Sequence, residues 1–401
     1  MTAPSLVIRA GHPDFLDLPW HLSVADWQLE QMIDLPKGIS RHEVRFVDYP
    51  EGIYAIKELP AEAAGRDYAV LRALELRAAP AVTPVGIVEN RHPDRGHEFS
   101  AALITRYVDY SFSYRQLLAG PGFGARRNQM LDAFAGLLVQ LHLAGCFWGD
   151  CSLSNVLYRF DAENIETIMG DAETAFVVDE LSKGRRQEDL EIMIENVAGG
   201  MADIAAEAGH EIDEADLELG EDIADRYRLL WEEVTSEATF ASDEHYRIKE
   251  RMERLNSLGF DVEELDLVPT DKGERLRVKF KVSGRNYHSN RFKSLTGVEA
   301  LEFQARQILT DLHYFHLQQG GAPGSGSLTS KELNAVRWRV GVFEPMLQRL
   351  RTIDGMADPV QAFCDLLYHR YALSQKAGHD VGTEAAFDDW VAAGRPGYPL
   401  E

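Results

Sequence analysis

The order of secondary-structure signals around three short polar motifs leaves this 401-residue chain few possible folds. A helix-period run from Arg126 to Leu143 carries Met130, Leu131, Phe134, Leu137, Leu138 and Leu141 on one broad face. It leads into the loop Trp148-Gly149-Asp150-Cys151-Ser152-Leu153-Ser154-Asn155. Short strands follow at Val156 to Arg159 and Thr167 to Met169, and after them Gly170-Asp171-Ala172-Glu173. Taken singly, Asp and Asn here would be ordinary turn-capping residues. In the order helix, loop, strand, turn, strand, loop they read as a constellation.

The chemistry suited to that constellation is phosphoryl transfer. An Asp five residues before an Asn on one loop can orient or deprotonate a hydroxyl while the Asn oxygen holds magnesium. Asp171 then stands where a second metal-binding carboxylate bridges the ion to phosphates, and Glu173 is a further metal or supporting contact. Upstream, Ile53-Tyr54-Ala55-Ile56-Lys57 closes a strand with a lysine fit to contact α- and β-phosphates. Its carboxylate partner is expected on the helix from Ala61 to Arg77. Asp67 shares the inward face with Val70, Leu71 and Leu74, where a carboxylate needs a nearby cation. Gly38 and Ser40, in Gly38-Ile39-Ser40-Arg41-His42, are candidates for a phosphate-covering turn.

Around this centre the first hundred residues read strand, strand, helix, strand, strand: His42 to Tyr49, Ile53 to Leu59, the helix, Val82 to Glu89 and Ser100 to Val108. Residues 15–35 suggest a short helical pattern, residues 187–207 an amphipathic helix, and residues 211–237 an acidic one. Beyond residue 240 the character shifts to the charged helix RIKERMERLNSLGF and an alternating strand from Arg275 to Val282. A helix over residues 297–318 follows, then the flexible segment GGAPGSGS and a mostly helical end. The strand's Arg275, Arg277, Lys279 and Lys281 share one face, within a basic stretch at 272–293. They are either a solvated face or a site for an anionic partner.

These residues resemble the protein-kinase-like superfamily, especially its bacterial lipopolysaccharide (Kdo/heptose) kinase branch and the RIO and aminoglycoside-phosphotransferase relatives. LPWHLS, GISRHEVRFV, WGDCSLSNVLYR, GDAETA and LTGVEALEFQAR are similar more closely to a bacterial family without an assigned reaction, placed near those kinases. The resemblance implies an α+β, bilobal fold with a small β-rich N-lobe, a helical C-lobe, and an extra α/β and helical C-terminal region. The expected divisions are an N-terminal extension (1–35), N-lobe (36–106), C-lobe (107–240), basic α/β appendage (241–319), linker (320–330) and helical region (331–401). The resemblance also implies ATP and Mg2+ as cofactors and Asp150 as catalytic base, with Lys57 and Asp67 as an ion pair. Asn155 and Asp171 become metal ligands, and Asp189 a buried support for the catalytic loop. Ile104, Tyr107 and Val108 fall in the hinge segment that would hold adenine through its backbone.

Two departures narrow the reading. Trp148-Gly149 stands where a regulated protein kinase has His-Arg, and only residues 172–188 separate Asp171 from Asp189, too few for a long peptide-docking segment. An ATP-dependent phosphotransferase acting on a hydroxyl of a sugar, glycan or other small molecule is therefore expected, with a nucleotide-binding pseudokinase or regulatory scaffold as the alternative. Lys and Arg total 41 against 65 Asp and Glu, a formal charge of −24, which disfavours nonspecific binding to nucleic acid or anionic membrane. No secretory leader or membrane span is read, and Cys146, Cys151 and Cys364 follow no disulfide or metal spacing. A cytoplasmic protein with reduced, buried thiols is the expectation.

Overall fold

The structure, a computed structural model, describes residues 3–35, 41–114, 123–209, 211–241, 245–269, 275–282, 284–318 and 328–398. The chain divides into two compact units. Unit 1 comprises Met1–Phe123, Met130–Tyr158 and Thr167–Glu233; unit 2 comprises Gly124–Gln129, Arg159–Glu166 and Val234–Glu401.

Unit 1 is built on an antiparallel six-stranded sheet. Its strands are β1 (Ser5–Ile8), β2 (Met32–Ile33), β3 (Val44–Tyr49), β4 (Gly52–Leu59), β5 (Pro84–Glu89) and β6 (Ala101–Arg106), in the order β1-β5-β6-β4-β3-β2. The β3–β4 turn ends at Gly52, whose φ of +129° is open to glycine but not to residues with a Cβ. Strand alternation then sorts β4 into two faces. Tyr54 and Ile56 face a core with Val85, Val88, Ala102 and Ile104, while Ala55 and Lys57 face the other way, toward a cleft. Helix α1 (Ala61–Leu76) buries Ala63, Ala64, Asp67, Val70, Leu71 and Leu74.

The helical lobe of unit 1 has three long helices: α2 (Phe123–Leu143), α3 (Lys183–Ala208) and α4 (Leu219–Thr235). Between α2 and α3 lie the two-stranded pairs β7 (Cys146–Phe147) with β10 (Phe176–Val177), and β8 (Val156–Asp161) with β9 (Asn164–Met169). Helix α3 starts where the Ser182 side chain accepts from the Arg185 N–H, and stops at Gly209 with φ +73°. The lobes of unit 1 join through the backbone, as Val82 N–H donates to Met169 O at 3.0 Å. An α+β, two-lobed unit is thus what these elements make.

Several sequence expectations change. Residues 1–35 are no separate extension, because β1 pairs with β5 and Phe15, Leu18, Trp20, Val24 and Trp27 are buried against the sheet's outer face. A buried ion pair pins that segment. Arg91 Nη2 lies 2.9 Å from Glu58 Oε1 and donates to Leu22 O at 2.7 Å, while Glu58 Oε1 accepts from Val24 N–H at 2.6 Å. Only Val24–Asp26 there is helical, as one 3-10 turn. The acidic stretch is broken into Glu214–Leu217 and α4.

In unit 2, β11 (Ala238–Ala241), β12 (Val262–Pro269) and β13 (Arg275–Val282) form an antiparallel sheet with β13 in the middle. Helix α5 (His245–Ser257) lies between β11 and β12 in sequence. The helix expected over 297–318 starts later, as α7 (Glu302–Gln318), and an additional helix, α6 (Tyr287–Thr296), precedes it and ends at Gly297 with φ +70°. Helix α8 (Leu328–Trp338) begins inside the expected linker and continues through a π-helical turn (Arg339–Phe343) into α9 (Glu344–Arg351). Helices α10 (Pro359–Ala377) and α11 (Thr383–Ala392) complete the bundle. Phe292, Trp338, Phe343, Phe363 and Trp390 centre its core.

Candidate functional site

Lys57 leaves β4 on the cleft face and meets three carboxylates. Its Nζ lies 2.7 Å from Asp171 Oδ2 and 3.7 Å from both Asp67 Oδ2 and Glu173 Oε2. Burial opposes the lysine's charge, but Asp171 and Asp67 outweigh it and hold its pKa above the ordinary value. Burial in turn pushes Asp67 up to about 7, against the pull of Lys57. Lysine is closer to Asp171, so Asp67 is the less neutralised of the two. Its Oδ1 is buried with no hydrogen-bond partner, an orphan acceptor beside a cation.

The loop 148–155 is held from below by Asp189 of α3. Asp189 is fully buried, and its carboxylate accepts from the N–H groups of Trp148 and Gly149, both at 2.8 Å. The Cys151 thiol donates to it at 3.3 Å, and His142 Nε2 lies 3.1 Å away. Gly149 stands at φ +76°, and a Cβ there would come within 2.9 Å of the Phe147 ring. Trp148 is fully buried and its indole N–H donates to Asp171 O at 2.9 Å, tying the two loops together. His142 is a core residue, with Nδ1 2.7 Å from Tyr227 Oη and its pKa lowered by burial.

Asp150 is clamped by two amides. Asn155 Nδ2 donates to Asp150 Oδ2 at 3.1 Å and to the Asp150 carbonyl at 3.0 Å. Asn196 Nδ2 donates to Asp150 Oδ1 at 3.2 Å. Burial raises the Asp150 pKa, while Asn155, the Arg41 guanidinium and Asn196 restrain the rise. Asp171 Oδ1 accepts from the Glu173 N–H at 3.0 Å, and Glu173 Oε2 lies 3.3 Å from His42 Nε2.

Two cavities meet at these residues. One of about 380 Å³ is walled by Asp150 and Tyr114 on one side and by Asn196, Gly199 and Gly200 of α3 on the other. A second of about 150 Å³ lies under β3 and β4, between apolar Val44, Ala55, Val82 and Leu157. Ser154, Asn155 and Asp171 line both. The shared wall offers an amide and a carboxylate, oxygen donors of the kind magnesium takes while keeping waters and phosphate oxygens as its other ligands. Among the described residues no cluster of three His, Cys, Asp or Glu is arranged to hold a metal alone.

The structure thus brings Lys57, Asp67, Asp150, Asn155, Asp171 and Glu173 to one place, with Asp189 beneath. Ile104 does not belong there: alternation turns it into the core with Ile56, and its backbone is paired to β4 and β5. Tyr107 and Val108 line the smaller cavity, but the Tyr107 N–H is spent on Ile53 O at 2.9 Å. Gly38 and Ser40 lie outside the described residues. So do the side chains of Arg275, Arg277 and Lys279; Lys281 is exposed on the central strand β13. Asn196 and His42 escaped the sequence reading. Asn196 had a signal, for it lies seven residues after Asp189, two helical turns along the same face.

Cys146, Cys151 and Cys364 are free and buried, and no helix among the described residues is long and apolar enough to cross a membrane. Residues 52–207 match the lipopolysaccharide kinase (Kdo/WaaP) family, and residues 229–394 match a domain of unknown function, DUF4032. No curated protein matches. A solved structure described as WaaP in complex with acyl carrier protein is similar at 14% identity and a TM-score of 0.37, over 63% of this chain and 98% of that one. Residues 52–207, most of the two-lobed region, are thus similar to the lipopolysaccharide kinase family.

Proposed function

We propose that residues 36–240 form an ATP- and Mg2+-dependent phosphotransferase that phosphorylates a hydroxyl of a sugar, glycan or other small molecule. The observation that carries this reading is the convergence on one cleft of the Lys57–Asp171 pair and the amide-clamped Asp150. Val44, Ala55, Val82 and Leu157 offer an adenine ring two apolar faces, and Val108 a backbone edge. Lys57 supplies the cation for α- and β-phosphate oxygens. Asp67, with an oxygen to spare, holds Lys57 when Asp171 is otherwise engaged. Magnesium bound by Asn155 and Asp171 would neutralise the phosphate charge and favour loss of ADP as leaving group.

Asp150 orients the acceptor hydroxyl and takes its proton as the new O–P bond forms and the bond from γ-phosphorus to ADP breaks. Its raised pKa suits a group that must receive that proton. The products are ADP and a phosphate monoester. Catalysis on this scheme is positioning and charge neutralisation. A small acceptor is favoured because Phe176–Val177 pairs at once with β7 and α3 begins at Lys183, which leaves no platform for an extended peptide.

The test measures magnesium-dependent ATP binding and turnover for wild type, Asp171→Ala and Asp150→Ala with a panel of sugars and glycans. Loss of binding in Asp171→Ala, with loss of turnover alone in Asp150→Ala, is the expected result. Equal binding by all three without turnover on any acceptor would favour a nucleotide-binding scaffold instead.

A further inference from the structure

Unit 2 contains a cavity of about 530 Å³ that the phosphotransferase reading does not use. Its size is that of a pocket for a small organic ligand. Tyrosine rings dominate its walls: Tyr314 from α7, Tyr368 and Tyr371 from α10, and Tyr398 from the C-terminal segment. Tyr314 is 44% exposed and Tyr371 62% exposed, so two large ring faces stand open beside the opening. The hydroxyls of Tyr314, Tyr368 and Tyr371 make no hydrogen bond among the described residues, whereas Tyr398 donates to Gln307 and to Cys364 O.

Charge decides the ligand class. Three charged side chains of the lining, Asp311, Arg370 and Asp380, are bonded together, with the one guanidinium engaged by both carboxylates. Arg370 donates to both Asp380 oxygens, to Asp311 Oδ1 at 3.1 Å and to Thr383 Oγ1 at 3.1 Å. The other Asp311 oxygen accepts from the buried Trp338 indole at 3.0 Å. An anionic ligand would lose hydration here and find the Arg370 guanidinium already engaged by two carboxylates. Arg306 and Glu163 at the edge are exposed and of opposite sign. A wholly apolar ligand would strand the hydroxyls of Tyr314, Tyr368 and Tyr371 away from water.

A sugar ring satisfies both conditions, with an apolar C–H face to lie on tyrosine and hydroxyls round its edge to pair with polar groups. We infer that unit 2 carries a second ligand site, for a neutral saccharide, in the cavity walled by Tyr314, Tyr368, Tyr371 and Tyr398. The inference is independent of Lys57, Asp150 and Asp171 and stands or falls without them.

Saturation-transfer NMR on the full chain tests it with maltose, cellobiose and diacetylchitobiose as probes, glucose 6-phosphate as the charged control and p-cresol as the apolar control. At least one neutral disaccharide is expected to bind, with affinity reduced about tenfold or more by Tyr371→Ala and by Tyr314→Ala. Tyr371→Phe keeps the ring face and should retain part of the binding, and thermal unfolding of these exposed-site variants should match wild type. Binding of none of the neutral sugars, preference for p-cresol or the phosphate, or undiminished binding by both alanine variants would overturn the assignment.

Discussion

Asp189→Ala should damage the molecule more than any other single truncation in the support of the 148–155 loop. The carboxylate is fully buried and accepts two backbone N–H bonds of 2.8 Å, from Trp148 and Gly149, beside His142 Nε2 at 3.1 Å. Alanine leaves both N–H groups in a site water does not reach, at about 1–3 kcal/mol each. Removal of one buried charge's own desolvation offsets part of that, and breaking a buried charged network costs about 3–5 kcal/mol in comparable cases. A net loss of about 3–5 kcal/mol follows. With a urea slope of about 3 kcal/mol/M, the unfolding midpoint of unit 1 falls by roughly 1–1.7 M. Asp189→Asn keeps an oxygen for one of the two N–H groups, which bond to different carboxylate oxygens, and should lose about 1–3 kcal/mol. Urea unfolding followed by tryptophan fluorescence, with hydrogen exchange at the Trp148 and Gly149 amides, reads both effects. A midpoint shift below about 0.3 M for the alanine variant, or equal loss in both variants, would refute the argument that this carboxylate holds the loop by accepting those two bonds.

Three further outcomes are expected. Asp67 is pushed from 3.8 up to about 7 by burial, so the folded state holds its proton more tightly and stability falls as pH rises through that window; relative to Asp67→Asn, wild type should lose about 2–3 kcal/mol between pH 5 and pH 8. Denaturation at the two pH values that shows no widening gap would contradict this. Asn196→Ala removes a donor that restrains the Asp150 pKa, so the acid limb of the pH–rate profile should move to higher pH and kcat should drop about tenfold, with unfolding little changed; an unmoved profile would exclude the clamp from function. Gly145→Ala should lower the unfolding temperature of unit 1 by several degrees or more, because φ is +76° and a Cβ would sit 1.9 Å from Val178 O; calorimetry finding wild-type stability would mean the loop yields freely.

Short-range chemistry was written plainly in the chain. The β3–β4 hairpin, Lys57 on its strand, the inward face of α1 with Asp67, and the helix–loop–strand order around Asp150, Asn155 and Asp171 all depend on neighbours within a few residues or a helical turn. Periodicity and spacing report such neighbours directly. What they do not report is which distant face a strand or helix meets. Ile104 looked like part of an adenine edge, yet pairing with β4 and β5 turned it into the core. The segment before residue 36 reads as an N-terminal extension, yet β1 pairing and the Arg91–Glu58 pair make it part of the sheet's packing. Asn196 reaches Asp150 across 46 residues of sequence, and the tyrosine cavity draws on positions from Tyr314 to Tyr398. The sequence alone therefore named the candidate groups for chemistry and the kind of element on which each sits. Tertiary packing decided which of them share water, charge and a wall, because burial and electrostatic coupling depend on distance in space rather than along the chain.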